Sequence, residues 1–438
     1  MKISLVGGGS PIWTKTLVKD ILLVPALADA TFFLIDPNRE AADLNATFLR
    51  KLAAKFKVGA RFVVSEAPES LEGSDYIIIT VSTGGFHAMQ FDLSVPEQFN
   101  VFHTVGDTSG PGGWARLIRN FKPFVALAAT IRRLAPHAVV MNYTNPMSTL
   151  TDVLTRLLDN PVIGLCHGLF ENLELIKRHY KLESEGEISI NYGGLNHFFW
   201  CDQLKVRGVD VIREFRDSGK SLTQILQASY TDGAGFESTR EVASELFGLT
   251  GILPYLGDRH TCEFFPWYIT DPARIKAYRL KRTTIAQRRK MHRKAHKDLL
   301  AMVAGKIPKS YTERSRETAA DIIEAHHLGK TFIDVGNVPN VGQISNLPLG
   351  TIVETAVRID QNGVSPICYG PLPETVAPFV RPYAEVYKLT VDACFEGNRH
   401  TALQALRLDP VCANISTPDV LTLGNHLIDA HRRWIDCF

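Results

Sequence analysis

Apolar runs and helical periods alternate along residues 1–165. KISLV (2–6) reads as a strand and PIWTKTLVKDILL (11–23) as a helix with Pro11 near its start. ATFFLID (30–36), ARFVVS (60–65), DYIIITVS (75–82), AVVMNYT (138–144) and PVIGLC (161–166) read as further strands. REAADLNATFLRKLAAKF (39–56) and WARLIRNFKPFVALAATIRRLA (114–135) carry the helical period, the second with a bend expected at Pro123. The strands are continuous Val/Ile runs rather than strict alternations, which marks strands buried on both faces of a parallel sheet. The order predicts an α/β fold: a Rossmann-like, doubly wound domain over 1–165.

After Cys166 the texture changes. EISINYGGLNHFFWCDQLKVRGVDV (187–211) reads as antiparallel strands, followed by helical stretches at about 235–248 and 283–304. Residues 335–367 read as loop and strand, before a final helical segment. This predicts a second, α+β domain over 166–438. No repeat or low-complexity linker separates the two, so a continuous interface between them is expected.

Composition changes this picture little. At 438 residues, 45% hydrophobic and 21% charged, the chain has the make-up of a soluble globular protein, long enough for two packed domains. A net charge of +2 gives no long-range field for nucleic acid. The basic stretch 281–297 reads as a solvated helix face. No apolar run spans a bilayer, and the start of the chain lacks the layout of a signal peptide. Seven scattered cysteines form no disulfide framework, so a reducing, cytoplasmic setting is expected, in which thiolates are free to act as ligands.

Several motifs carry candidate chemistry. VGGGSPIW places Gly7, Gly8, Gly9 and Ser10 between a strand and a helix, where a pyrophosphate would sit; Ile12 stands where a third glycine would complete the fingerprint. Asp36 ends the second strand, 29 residues after Gly7, and fits a ribose diol, favouring NAD over NADP. TVSTGG offers Ser82, Thr83 and Gly84 as a second cofactor-facing loop. VGDTSGPGGWARLIRN carries Asp107, with Gly112 and Gly113 read as loop ahead of the helix. Asn145 in NYTNPM lies beyond a strand end, where ligands of such sheets bind, though an Asn-Pro turn explains it equally well. Cys166 and His197 make only two ligands, too few for a closed structural zinc site; a buried cysteine and a core histidine are the plain alternative. LPYLGDRHTCEFFPW (253–267) crowds Tyr255, Asp258, Arg259, His260, Cys262 and Glu263 together, as site loops do.

In this order, GGGS, GDTSGPGGWARLIRN, NYTNPM, CHGL, GLNHF, GDRHTCEF and NVPNVGQISNLP resemble the NAD- and manganese-dependent glycosidases of glycoside hydrolase family four, over nearly the whole chain. The resemblance implies a lactate/malate dehydrogenase-like architecture and bound NAD. It implies Mn²⁺, or another divalent cation, on Cys166 and His197. It also implies a reaction: NAD⁺ takes hydride from sugar C3, a base removes the C2 proton, the aglycone is eliminated, water adds and the hydride returns. His167 matches the position linked to the general acid, and Asp258, then Tyr255, the base. Asn145, Asp107 and His260 fall to the substrate, with Arg259 a candidate for a uronate carboxylate.

Members acting on 6-phosphorylated sugars carry Cys-Asn or Cys-Asp, a further residue and Pro, and often an arginine in the loop after the GG. CHGL and FHAMQFD (86–92) stand in those places here. Cys-His-Gly is similar to members acting on α-linked uronic acids, so an α-uronidase is expected, α-glucuronidase foremost, with α-galacturonidase and α-glucosidase as alternatives. A homodimer or homotetramer, with no nucleic-acid or membrane partner, goes with that expectation. An NAD-dependent 2-hydroxy-acid dehydrogenase, needing no metal, and a non-enzymatic NAD sensor are the rivals from other classes.

Overall fold

A computed structural model describes residues 1–227, 230–231 and 235–438. Its first six strands are β1 (Lys2–Val6), β2 (Thr31–Ile35), β3 (Arg61–Ser65), β4 (Tyr76–Ile79), β5 (Val139–Asn142) and β6 (Val162–Gly164). They pair in parallel in the order 3-2-1-4-5-6, the doubly wound dinucleotide-binding order. The helices between them are α1 (Trp13–Leu22), α2 (Arg39–Phe56), α3 (Gly85–Glu97), α4 (Gly110–Leu134) and α5 (Met147–Leu157), with α6 (Gly168–Tyr180) after β6.

The uninterrupted isoleucines of β4 have a simple cause. Tyr76 and Ile78 enter one core, with Leu17 of α1 and Phe48 of α2. Ile77 and Ile79 enter the other, with Ile118 of α4 and Val153 of α5. Side chains alternate across a strand, so apolar residues at every position mean two buried faces.

The sheet does not stop at β6. An antiparallel strand, Phe332–Pro339, pairs with β6 at Asn337↔Gly164. The antiparallel continuation is β7 (Ile188–Leu195), β8 (Phe198–Val206), β9 (Val209–Asp210), β10 (Leu253–Pro254), β11 (Phe332–Pro339), β12 (Ile352–Asp360) and β13 (Gly363–Pro366), giving one 13-stranded sheet. The C-terminal helix Thr417–His431 returns to pack on α3 and α4. There His431 Nε2 lies 2.9 Å from Asp92 Oδ1, and Arg119 Nη1 2.5 Å from the same oxygen, all fully buried.

Three expectations need correction. Gly112 and Gly113 lie inside the first turn of α4, which begins at Gly110. A Cβ on Gly113 would sit 2.4 Å from the Thr108 carbonyl, so only glycine lets the preceding loop lie this close. The stretch 86–92 is not loop but part of α3; the glycine at its start and Pro96 hide the helical period, and burial of Ala88, Met89 and Leu93 stabilises it. The helix expected from about 235 runs Glu241–Thr250. No described helix is long and apolar enough to cross a membrane.

Candidate active site

The glycine turn lies at the β1/β4 switch point. Gly7 has φ +97, and a Cβ there would stand 2.5 Å from the Thr80 carbonyl oxygen, so the turn abuts the end of β4. Gly7 and Gly8 donate to Ile35 O (2.9 and 3.1 Å), and Gly9 to Asp36 Oδ2 (2.9 Å). These bonds fix the shape of the turn and leave the N-terminus of α1 as the element that favours an anion. Ser10 Oγ accepts from Trp13 N. Asp36 Oδ1 also accepts from Asn38 N, so the carboxylate is held at the end of β2; each oxygen has a second lone pair for a ribose hydroxyl. Ser82, Thr83 and Gly84 follow β4 across the crevice, Thr83 N donating to Asn120 Oδ1 and Thr83 O accepting from Arg119 Nε. The turn, the fixed carboxylate and the open second loop fit a dinucleotide.

Across the crevice from this turn, Cys166 follows β6, and His197 sits in the tight turn between β7 and β8 with φ +62. Cys166 Sγ is 3.1 Å from His197 Nε2. On the other side of the ring, His197 Nδ1 is 2.9 Å from Thr108 Oγ1, which is 3.1 Å from Asp107 Oδ1. The threonine has one proton, and the carboxylate can only accept it, so Nδ1 donates to the threonine and Nε2 is bare. His260 completes the group, its ring 4.0 Å from that of His197. One ligand atom each from Asp107, His197 and His260 falls within 4.8 Å of the others.

The electrostatics suit a cation. Burial lowers His197 to about 4 and His260 well below the usual imidazole value, so both are neutral ligands at neutral pH. Burial alone would raise Asp107, but Arg116 first, then His260, Arg288 and His197, hold it well below the carboxylate range. His260 Nδ1 is buried without a hydrogen-bond partner. Burial, reinforced by Glu354, pushes the Cys166 thiol up, so without a cation it keeps its proton. Two imidazoles and a carboxylate, with the Cys166 sulfur beside His197 Nε2, are donors that fit a divalent transition metal.

The remaining candidates divide. Asn145 stands at the end of β5 with Oδ1 buried and unpartnered, while its carbonyl accepts from Arg116 Nε at 2.9 Å. His167 is half-exposed; its Nδ1 is 3.8 Å from Glu317 Oε1 and its ring 6.0 Å from that of Trp13, so it faces the glycine-turn side. The Tyr255 ring stacks on His197 at 6.2 Å, and its hydroxyl donates to Glu171 Oε2 at 3.1 Å. Asp258 does something else: its oxygens accept from Val242 N (3.3 Å) and Ala243 N (3.0 Å), capping helix Glu241–Thr250, and burial raises it to about 6. Arg259 donates to Lys281 O and Thr283, and stacks over Phe236.

Sequence reasoning left out Thr108, Arg116, Glu171, Arg288 and Glu354. Arg116 sits inside the quoted GPGGWARLIRN motif, and Arg288 inside the basic stretch read as solvated. Most of that stretch is exposed, but Arg288 Nη2 donates to Val105 O at 2.6 Å, beside Asp107. Nothing in the local pattern marks which arginine turns inward.

Comparison with known proteins identifies the family and the fold. Residues 2–182 match the profile of the Family 4 glycosyl hydrolases, and residues 192–412 that of the Family 4 glycosyl hydrolase C-terminal domain. An α-galacturonidase of Thermoanaerobacter italicus is 30% identical over 99% of this chain and 97% of that protein. One of Bacillus subtilis is 31% identical over 98% and 97%. The crystal structure of Bacillus subtilis lplD, described as a glucosidase, superposes with TM-score 0.86 at 30% identity, over 98% of this chain and 99% of that one. The Thermotoga maritima 6-phospho-β-glucosidase, crystallised with manganese, NAD⁺ and glucose-6-phosphate, shares the fold: TM-score 0.80, 21% identity, all of both chains. The profiles and the full-length identity together place the chain in glycosyl hydrolase family 4.

Proposed function

We propose that this chain hydrolyses non-phosphorylated α-glycosides of uronic acids, using NAD⁺ and a divalent cation, Mn²⁺ by preference. The observation that carries the reading is the 3.1 Å approach of Cys166 Sγ to the bare Nε2 of His197, at the sheet end that faces the glycine turn. The names of the full-length relatives favour α-galacturonides over the α-glucuronides expected from sequence, and the two sugars differ only at C4. The Thermotoga structure, with manganese and NAD⁺ on the same fold, supports the choice of cofactors.

When bound, NAD⁺ supplies a reversible hydride acceptor and the cation a Lewis acid. The chain does the rest. Asp36 and the Gly7–Ser10 turn orient the dinucleotide. Asn145 Oδ1, buried and unpartnered, accepts a sugar hydroxyl. Of the two base candidates we assign Tyr255, because its ring faces His197 while Asp258 caps a helix. Burial and Glu171 raise the Tyr255 hydroxyl, so it rests as the neutral phenol and passes its proton to Glu171 Oε2 as the C2 proton arrives. His167, at the open side, donates the proton to the leaving aglycone.

The test is a panel of p-nitrophenyl α-galacturonide, α-glucuronide, α-glucoside and α-glucoside 6-phosphate. It is run with NAD⁺, Mn²⁺ and a thiol reductant, and repeated with each omitted. Release from the uronides, dependent on all three and placing deuterium at C2 in D₂O, is expected. Release from the phosphorylated sugar alone, or metal-independent net NADH formation from a 2-hydroxy acid, overturns the reading.

A further inference from the structure

We propose that Arg116, assisted by Arg288, binds the C6 carboxylate of the substrate and so sets the preference for uronides. This rests on the reading of the site as one for α-uronides.

Arg116 lies on the second turn of α4 and is 7% exposed. Its Nε donates to the Asn145 carbonyl, but Nη1 is buried without a partner, and no carboxylate among the described residues pairs with it. Arg288 reaches the same place from helix Ile285–Val303: Nη2 donates to Val105 O, and Nε is buried without a partner. Asp107 is the carboxylate that acts most on both; Asp92 also acts on both and Glu263 on Arg288, but Asp92 is engaged by Arg119 and His431, and Glu263 by the N–H groups of Val105 and Gly106. Two guanidinium groups, each with a nitrogen buried without a partner, thus share Asp107 as their main counter-charge, and a buried cation whose charge is incompletely matched is costly unless an anion joins it.

Arg119 Nη2 also lacks a hydrogen-bond partner, but its charge, unlike that of Arg116, is met by a paired carboxylate. Arg119, one turn further along α4, is matched by Asp92 at 2.5 Å and by Thr83 O. Arg259 is engaged by Lys281 O, Thr283 and the Phe236 ring. Arg116 is tied to the backbone of Asn145, whose own Oδ1 waits for a donor, so cation and acceptor lie side by side between the Asp107 group and the end of β5. A guanidinium with a free edge matches a carboxylate in a two-point contact, while the acceptor beside it takes a hydroxyl.

The experiment compares kcat/KM for p-nitrophenyl α-galacturonide and α-galactoside in NAD⁺- and Mn²⁺-loaded wild type, Arg116→Gln, Arg116→Lys and Arg288→Gln. The α-glucoside 6-phosphate serves as the second anionic substrate. Losing a charge-assisted contact predicts that the galacturonide/galactoside ratio falls about 30-fold in Arg116→Gln, chiefly through KM, and less in the other two variants. If Arg116 only holds the Asn145 loop, both substrates decline together and the ratio stays fixed, which overturns the proposal. If Arg116→Gln does not fold, the ratios of Arg116→Lys and Arg288→Gln decide in the same way. A wild type that prefers the galactoside or the phosphorylated sugar defeats the uronide reading itself; a uronide-preferring wild type with unchanged ratios in the variants defeats this inference alone.

Discussion

Glu354 shows how much of the site's chemistry is set by a side chain that touches no reacting group. It is 1% exposed on β12, and its Oε2 accepts from Asn196 Nδ2 at 2.9 Å and Asn337 Nδ2 at 3.0 Å. Asn196 precedes His197, so this carboxyl anchors the turn that presents the imidazole. Burial raises Glu354 to about 7 from the usual 4.5. The native state therefore keeps a proton that the unfolded chain releases, and this contribution to stability is lost as pH rises through that window. Glu354→Gln keeps both hydrogen bonds and removes the titration. In urea unfolding of chelator-treated protein, the variant should gain on wild type by on the order of 2 kcal/mol between pH 5 and pH 8. A difference independent of pH contradicts the assignment. Sequence motifs pointed to Cys166, His197, Asp107 and His260 because each stands in a distinctive short string. Glu354 stands in an ordinary β-strand string, IVETAVRID, and becomes a site residue only through the pairing of β12 with β7 and β11.

At the scale of elements, the segment before α4 is held by a buried acid. Glu263 Oε1 accepts from Val105 N (2.6 Å), Gly106 N (2.9 Å) and Thr104 Oγ1 (3.0 Å), and His103 Nδ1 lies 3.4 Å away. Burial would raise Glu263, but His103 and the backbone N–H groups outweigh it and keep it ionised. His103 Nε2 accepts from Gly112 N, which leaves its proton on Nδ1 toward the acid. The loop is thereby fixed with Asp107 and Thr108 against His197. Glu263→Ala strands two buried N–H groups, so it should cost about 3 kcal/mol in chemical unfolding and weaken Mn²⁺ binding with it. Full metal affinity in a destabilised variant would separate the loop from the site. The sequence made strands and amphipathic helices legible, since β1 and α2 fall where apolar periodicity places them. It hid α3, which opens on a glycine, and the first turn of α4, where glycines required by close packing look like loop. It also hid the capping of helix Glu241–Thr250 by Asp258, a contact between segments that no local pattern records.

At the scale of the whole molecule, one sheet joins a parallel, dinucleotide-binding half to an antiparallel half, and the C-terminal helix closes back over the first. The candidate cation site depends on that continuity. Asp107 comes from the loop before α4, and His197 and His260 from the antiparallel half, while Cys166, 3.1 Å from His197 Nε2, comes from the end of the last parallel strand. The most direct test is titration of the reduced, NAD⁺-loaded protein with Mn²⁺, following free Mn²⁺ by electron paramagnetic resonance, in wild type and Cys166→Ser. The account predicts one tight Mn²⁺ per chain in wild type and an affinity at least about tenfold weaker in the variant. Equal affinity in the two proteins, or no stoichiometric site in wild type, would contradict it.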